Sequence, residues 1–421
     1  DWVLSSYPVH GHGRLWKLEI DRAAATWVQP AWDPLNESAQ LAKDLREGRV
    51  KLSPTQLFEH ARGEDKYLSD AALTALARES SSWTPHSVQA LADCDRVWAL
   101  VALRRVDFNE EKWVRLLLGE TDPEVRFECL RWIADAVFTS FIADVEHLLI
   151  QPDLDYRLFE AALATRNTLR GQPSSGIAND EMLLGYLTNS ATPARLKGFA
   201  LRLAPTSHPT ITVSLLRELL AMADPVLSLE VVRNLASRNT DEANQILAEI
   251  ADSETYAIDL RAEAIAGLAG STNSDHLALL LSFAGHDTVA LRAEALRALR
   301  QTPLDAAARK SLDKLGHQYP ESETLVKAAM DAASISAGRP AFDDTAAWLN
   351  RLDSLPGKPN VETGRRIFHS TVAQCATCHR HSGRGNVNGI GPDLSLIARQ
   401  GDRNARRRRA VPGGSARPQR R

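Results

Sequence analysis

Two cysteines three residues apart with a histidine directly after them, Cys375, Cys378 and His379 in QCATCHRH, are the residues of this chain best suited to chemistry. Thiolates are nucleophiles and soft metal ligands, and an imidazole nitrogen is a ligand for many metals. C-x-x-C-H is the attachment sequence of c-type haem: the two thiols add to the vinyl groups as thioethers, and the adjacent imidazole becomes an axial ligand of the iron. One covalent haem c is therefore the expected cofactor. A thioredoxin-like dithiol would need a βαβ context, which the flanking sequence does not offer. A zinc site could draw on Cys375, Cys378, His379 and His381, but adjacent Cys and His ligands suit a tetrahedral shell poorly and no second C-x-x-C follows. Two free thiols beside a surface histidine are the plainest alternative. The zinc and free-thiol readings stay open beside the preferred haem reading.

The elements that must position these residues come earlier in the chain. The 421 residues are 44% hydrophobic and 24% charged, which describes an ordinary folded protein of two to four structural units. From about residue 40 to 335 an Ala/Leu-rich helical pattern repeats. Anchored at Arg126, Arg157, Arg195, Ser228, Arg261 and Arg292, its intervals are 31, 38, 33, 33 and 31 residues. A period in that range predicts stacked helix pairs, since neither helix of a pair can bury its apolar face alone. The Asp near the start of each second helix is expected to cap its free N–H groups. The fold class expected is all-α, a HEAT-like α-solenoid followed by a small, incomplete cytochrome c domain.

Before the repeats, residues 1–20 end in one alternating strand, with Trp16, Leu18 and Ile20 on one face, Lys17 and Glu19 on the other, and no partner in sight. His10 and His12 in HGHG read as a Gly-rich loop rather than a metal site. After the repeats, residues 336–360 carry turn signals around one short amphipathic helix and read as a linker. A helix beginning at Val361, capped by Asn360, opens the segment that bears the C-x-x-C-H. Of the other cysteines, Cys94 and Cys129 lie in apolar helical patterns and are expected to be small core residues. Loop spacing offers no support for a disulfide between them.

Taken together, GHGRLWKL, the Asp/Pro-x-x-Arg repeats and GRRIF…CATCH…GNVNGIGPDLSLIA resemble a family of haem-binding proteins from planctomycetes and verrucomicrobia. In that family a sorbosone-dehydrogenase-like β-propeller precedes HEAT repeats and a C-terminal cytochrome c domain. The resemblance is specific over residues 361 to about 403 and loose elsewhere. It implies that residues 1–30 are a remnant strand of an upstream propeller, 40–335 the HEAT-like repeats, 336–360 the linker and 361–403 a truncated haem domain. It implies that Gly364 and Phe368 pack beside the haem, that the carbonyl of Pro392 accepts the Nδ1 proton of His379, and that Leu394 lies on the porphyrin. Its function would be electron transfer with an upstream dehydrogenase domain or another redox protein, and a protein partner on the HEAT surface is the other partner expected. No catalytic residue is assigned to this chain by itself. Because haem is attached to C-x-x-C-H outside the bacterial cytoplasm, a periplasmic or otherwise exported location is expected. An interaction scaffold with a non-functional haem domain is the alternative function.

The chain departs from the family after the GPDL loop. Its methionines are Met182, Met222 and Met330, so no distal Met follows the C-x-x-C-H. Residues 404–421 form an Arg-rich tail expected to be disordered, the product of a truncation or frameshift, in a chain expected to be an internal or C-terminal piece. Residues 399–421 carry a charge of +8 and the rest of the chain −11. With an acidic body and no aromatic residues among the arginines, the tail does not read as a nucleic-acid arm. The longest apolar stretch, residues 129–145, is broken by Arg131, Asp135 and Asp144, so no transmembrane segment is expected.

Overall fold

The computed structural model describes residues 2–6, 14–18, 36–172, 177–331, 339–341, 344–354, 360–370, 373–381, 384–385, 391 and 393–395. The described chain is mostly helical and forms two compact units, Asp1–Glu128 and Cys129–Arg421. No described helix is long and apolar enough to cross a membrane.

The first unit opens with β1 (Trp2–Ser6) and β2 (Arg14–Leu18), which pair antiparallel with Trp2 opposite Leu18. The strand expected to be solitary therefore has a partner. The register runs from Trp2 opposite Leu18 to Ser6 opposite Arg14, and five residues are enough to satisfy the ladder. Ile20 and the HGHG histidines lie outside the described residues. Six helices follow: α1 (Glu37–Glu47), α2 (Pro54–Arg62), α3 (Lys66–Glu79), α4 (Pro85–Gln89), α5 (Asp93–Val106) and α6 (Glu111–Leu117). α3 is their centre, packed on α1, α2 and α5.

The boundary between the units falls within α7 (Pro123–Ala136). Beyond it come α8 (Ile142–Leu148), α9 (Tyr156–Leu169), α10 (Ile177–Thr188), α11 (Ala194–Leu203), α12 (Val213–Leu220) and α13 (Pro225–Arg238). They continue with α14 (Asp241–Asp252), α15 (Ile258–Gly267), α16 (Ser274–Ala284), α17 (Val289–Leu299), α18 (Ala306–Gln318) and α19 (Glu323–Met330). From α10 to α19 each odd-numbered helix packs on the even-numbered helix before it, and α11, α13, α15, α17 and α19 pack on one another in succession. The apolar face of each pair is thus covered by the next pair, which explains why Leu227, Val231, Leu235, Ile265, Leu291 and Leu299 are all buried. Gly198 lets α11 approach α13 closely, because a Cβ there would stand 3.0 Å from the Leu227 nitrogen.

Basic side chains also tie the two helices of a pair together. Arg261 Nε donates to the Ala251 carbonyl in the last turn of α14, and Arg292 Nη1 donates to the His286 carbonyl in the turn after α16. Lys197 does the same for Leu187 at the end of α10. These side chains satisfy carbonyls that a helix end leaves open. The expected Asp caps hold at only some helix starts. Asp155 and Asp224 accept from backbone N–H groups of α9 and α13, and Asp122 accepts from Glu124 in α7. α11, α15 and α17 begin at Pro193, Ala257 and Thr288 without a side-chain cap. In α15 the acid, Asp259, lies inside the first turn, where it can act on the helix dipole but not as the cap.

The remaining described elements are α20 (Thr345–Ser354), α21 (Val361–His369), the short α22 (Cys375–Cys378) and a ladder of β3 (Arg380–His381) with β4 (Arg384–Gly385). All belong to the second unit. None of the four cysteines forms a disulfide. Cys129 is buried as expected, whereas Cys94 is exposed near the start of α5, with its sulfur 3.7 Å from Arg62 Nη1.

Candidate functional site

Asn360 starts the site as its type predicts, its side chain accepting from Thr363 N at 2.8 Å to cap α21. After α21 the backbone turns sharply. Gln374 adopts a left-handed conformation, φ 53°, uncommon for a residue with a Cβ, and α22 follows as one helical turn. That turn sets Cys375 and Cys378 three residues apart on one helical face, Cys375 half-buried and Cys378 exposed. The His379 N–H closes the turn on the Cys375 carbonyl at 2.9 Å.

A returning segment then crosses the half-buried His379. Gly391 N–H donates to the Cys378 carbonyl at 2.9 Å, and Leu394 N–H donates to the Arg380 carbonyl at 2.8 Å. Gly391 lies so close to the imidazole that a Cβ on it would stand 2.4 Å from His379 Nδ1. Any side chain there would have to push the ring aside, so Gly391 is fitted to the histidine. Pro392 itself lies outside the described residues, and Leu394 is half-buried. We expect Gly391→Ala to displace the His379 ring and to lower the stability of this segment by about 1–3 kcal/mol. Denaturant unfolding together with the NMR shifts of the His379 ring protons would measure it, and an unmoved ring would contradict it.

Of the two residues expected to flank a haem, Phe368 is half-buried with its ring 5.0 Å from that of His369 and 6.1 Å from that of His381. Gly364 is exposed, with open space where a Cβ would stand. Burial, with Arg202 and Arg365 nearby, pushes the His381 pKa down against the pull of Asp393. Among the described residues no three or more His, Cys, Asp or Glu side chains are grouped so as to hold a metal ion. A c-type haem asks for no such group, since two thioethers and one imidazole hold it. Two accessible free thiols on one helical turn and a ring seated by a glycine fit that donor set.

What sequence reasoning missed is how this segment is anchored. α21 meets the helical array through charges. Arg365 is bidentate to Glu263, with Nη2 at 2.9 Å and Nη1 at 3.3 Å, and its Nε also bonds Glu362 at 3.0 Å. Arg366 Nε bonds Glu294 at 2.7 Å. Arg233 on α13 adds a bond to Glu263 at 3.2 Å and pairs with Glu230, while Arg297 pairs with Glu294. Glu230, Glu263, Glu294, Arg233 and Arg366 are all buried. Farther along the array, Arg380 reaches Glu160 on α9 at 3.1 Å, beside Tyr156, on whose ring the Arg202 guanidinium stacks at 3.9 Å. Burial pushes the Glu160 carboxyl up against the pull of Arg380.

The signal for this clasp was present in the repeats. Glu230, Glu263 and Glu294 each lie two residues after the repeat anchor, at intervals of 33 and 31, on helices otherwise rich in Ala and Leu. A carboxylate recurring at one repeat position, on a face that must be buried, requires a cation. Glu230 and Glu294 find one three residues on, at Arg233 and Arg297, but the same position after Glu263 is Ala266. Arg365 of α21 fills that gap. Burial alone would raise the Glu263 pKa; hydrogen bonding and charge from Arg365, with Arg233 and Arg366, hold it below the usual carboxylate range. A depressed folded-state pKa means that its contribution is complete above the unfolded value of about 4.3 and is lost as pH falls through the folded value. Acid titration of stability should therefore show a loss below about pH 4 that is absent in Glu263→Gln.

A scan against protein-family models and a search of curated proteins each return no match, so what supports a function here is the arrangement of the residues themselves.

Proposed function

We propose that this chain carries one covalent c-type haem and serves as an electron-transfer module, with the haem-bearing segment mounted on a HEAT-like solenoid. Cys375 and Cys378 would hold the porphyrin as thioethers and His379 would be the axial ligand. The observation that carries the reading is the pairing of the C-x-x-C turn with the Gly391 backbone seated against the His379 imidazole. Bound haem would supply a one-electron iron couple. The protein's own residues do the rest. Gly391 and the backbone bonds of Cys378 and Arg380 fix the ring that must face the iron, and the outer partner of an axial histidine sets its orientation and basicity. The Glu263–Arg365 and Glu294–Arg366 pairs hold α21, and with it the attachment turn, at one place on the helical array, which keeps the distance to a redox partner constant. Successive packing of α10 to α19 supports the solenoid reading. The redox partner proposed is an upstream dehydrogenase-like domain or a separate protein, and the location proposed is the periplasm or another exported compartment.

The test is a pyridine haemochrome assay on the chain exported from a host with cytochrome c maturation machinery. A c-type spectrum that survives acid–acetone extraction is the expected result. Absence of covalent haem under conditions that mature a control cytochrome would overturn the proposal and leave the chain as a helical-repeat scaffold.

A further inference from the structure

Between α15, α17, α19 and α21 lies a cavity of about 200 Å³, large enough for several waters or a small organic molecule. Ala266, Ala298, Leu325 and Ile367 give it apolar walls, and its charged lining is three arginines, Arg297, Arg300 and Arg366, against the single carboxylate of Glu294. That carboxylate is already engaged: its Oε1 lies 2.7 Å from Arg366 Nε and 2.8 Å from Arg297 Nη1. Donors remain. Arg366 is 7% exposed, and its Nη1 is buried without a hydrogen-bond acceptor, standing 3.7 Å from Glu263 Oε2. Half-buried Arg300 makes no ion pair or side-chain hydrogen bond among the described residues. A buried guanidinium N–H without an acceptor is costly, and native proteins rarely leave one unless an ion, water or ligand completes it.

We propose that this cavity is a binding site for a small organic monocarboxylate with an apolar body. The carboxylate would be held by Arg300 beside the guanidinium of Arg366, and the body would lie against Leu325 and Ile367. Planar guanidinium donors recognise carboxylates better than other cations do, and an apolar-walled cleft with a few convergent polar groups is the usual form of a small-molecule site. An inorganic anion would leave the apolar walls unused, and a neutral ligand would leave the arginines unsatisfied. The site does not depend on haem attachment. Because it is bounded by α21 on one side and the helical array on the other, its occupant would bridge the two.

Hexanoate is a suitable probe, with hexanol as its uncharged counterpart. Isothermal titration of the full chain should show one hexanoate site that hexanol does not reproduce, and Arg300→Gln should weaken it by about tenfold or more. Arg300 takes no part in the clasp, so this variant should fold normally, as circular dichroism would verify. As a second readout, hexanoate should slow phenylglyoxal modification of Arg300 in the parent chain, followed by mass spectrometry. No binding, equal binding of hexanol, or parent-like affinity in Arg300→Gln would overturn the proposal.

Discussion

A chain with serine at both Cys375 and Cys378 should emerge from a maturation-competent host with no covalent haem, and each single serine variant should retain one thioether and a shifted haemochrome band. The physical reason is that each thioether is one C–S bond between one thiol and one vinyl group, and a hydroxyl does not make it. His379→Ala separates attachment from ligation. Its thiols are intact, so covalent haem should be reduced in yield rather than lost, while the visible spectrum and the reduction potential should change because the axial imidazole is gone. If the double serine variant holds as much acid-resistant haem as the parent, attachment is not through this turn. If His379→Ala leaves the spectrum unchanged, another side chain is the axial ligand.

Glu263→Gln should be the most destabilising single exchange at the interface between α21 and the helical array. The change is nearly isosteric, so almost no packing is lost. What is lost is the negative charge that Arg365, Arg233 and Arg366 all face, at 2.9, 3.2 and 3.7 Å. Breaking a buried ion pair by removing one partner typically costs about 3–5 kcal/mol, because the remaining charge is left in a poorly solvated place. Arg217→Gln is the natural contrast. Its pair with Glu249, at 3.4 Å, has both side chains about half exposed, and such pairs are worth about 0–1 kcal/mol. Denaturant unfolding would compare the two, and hydrogen exchange of residues 361–369 would show whether α21 has come loose. Adding Arg365→Gln to Glu263→Gln should recover part of the loss by removing one of the stranded cations. Equal small effects of Glu263→Gln and Arg217→Gln would mean that the buried charges do not hold α21.

Much of this protein can be read along the chain. The helical period, the Asn360 cap, the anchors Arg261 and Arg292 and the C-x-x-C-H turn are local features. They depend on residues within a few positions of one another, or on a repeat that returns every 31 to 38 residues. Local reading was weakest where the deciding partner is distant or the alternatives are close in energy. β1 is not legible locally, because five residues of mixed character carry little pattern until β2 is set beside them. The expected Asp caps of α15 and α17 do not form because Asp259 lies two residues after the N-cap Ala257 and Asp287 one residue before the N-cap Thr288, and a cap depends on backbone angles at a single residue. Cys94 was assigned to the core because hydrophobic periodicity identifies a helix more reliably than which way one of its end residues faces.

The sequence by itself determined the chemistry available to this protein: two thiols and an imidazole at the spacing of haem attachment, and carboxylates recurring on buried helical faces. Only the tertiary structure decided what those carboxylates are for. Arg365 and Glu263 are 102 residues apart, and nothing in either neighbourhood names the other. The pairing exists because stacking α13, α15 and α17 brings Glu230, Glu263 and Glu294 to one face while Glu263 has Ala266 where Glu230 and Glu294 have an arginine three residues on. Desolvating a charge is too costly to leave uncompensated, and that requirement brings α21 and the C-x-x-C turn after it to this place on the array.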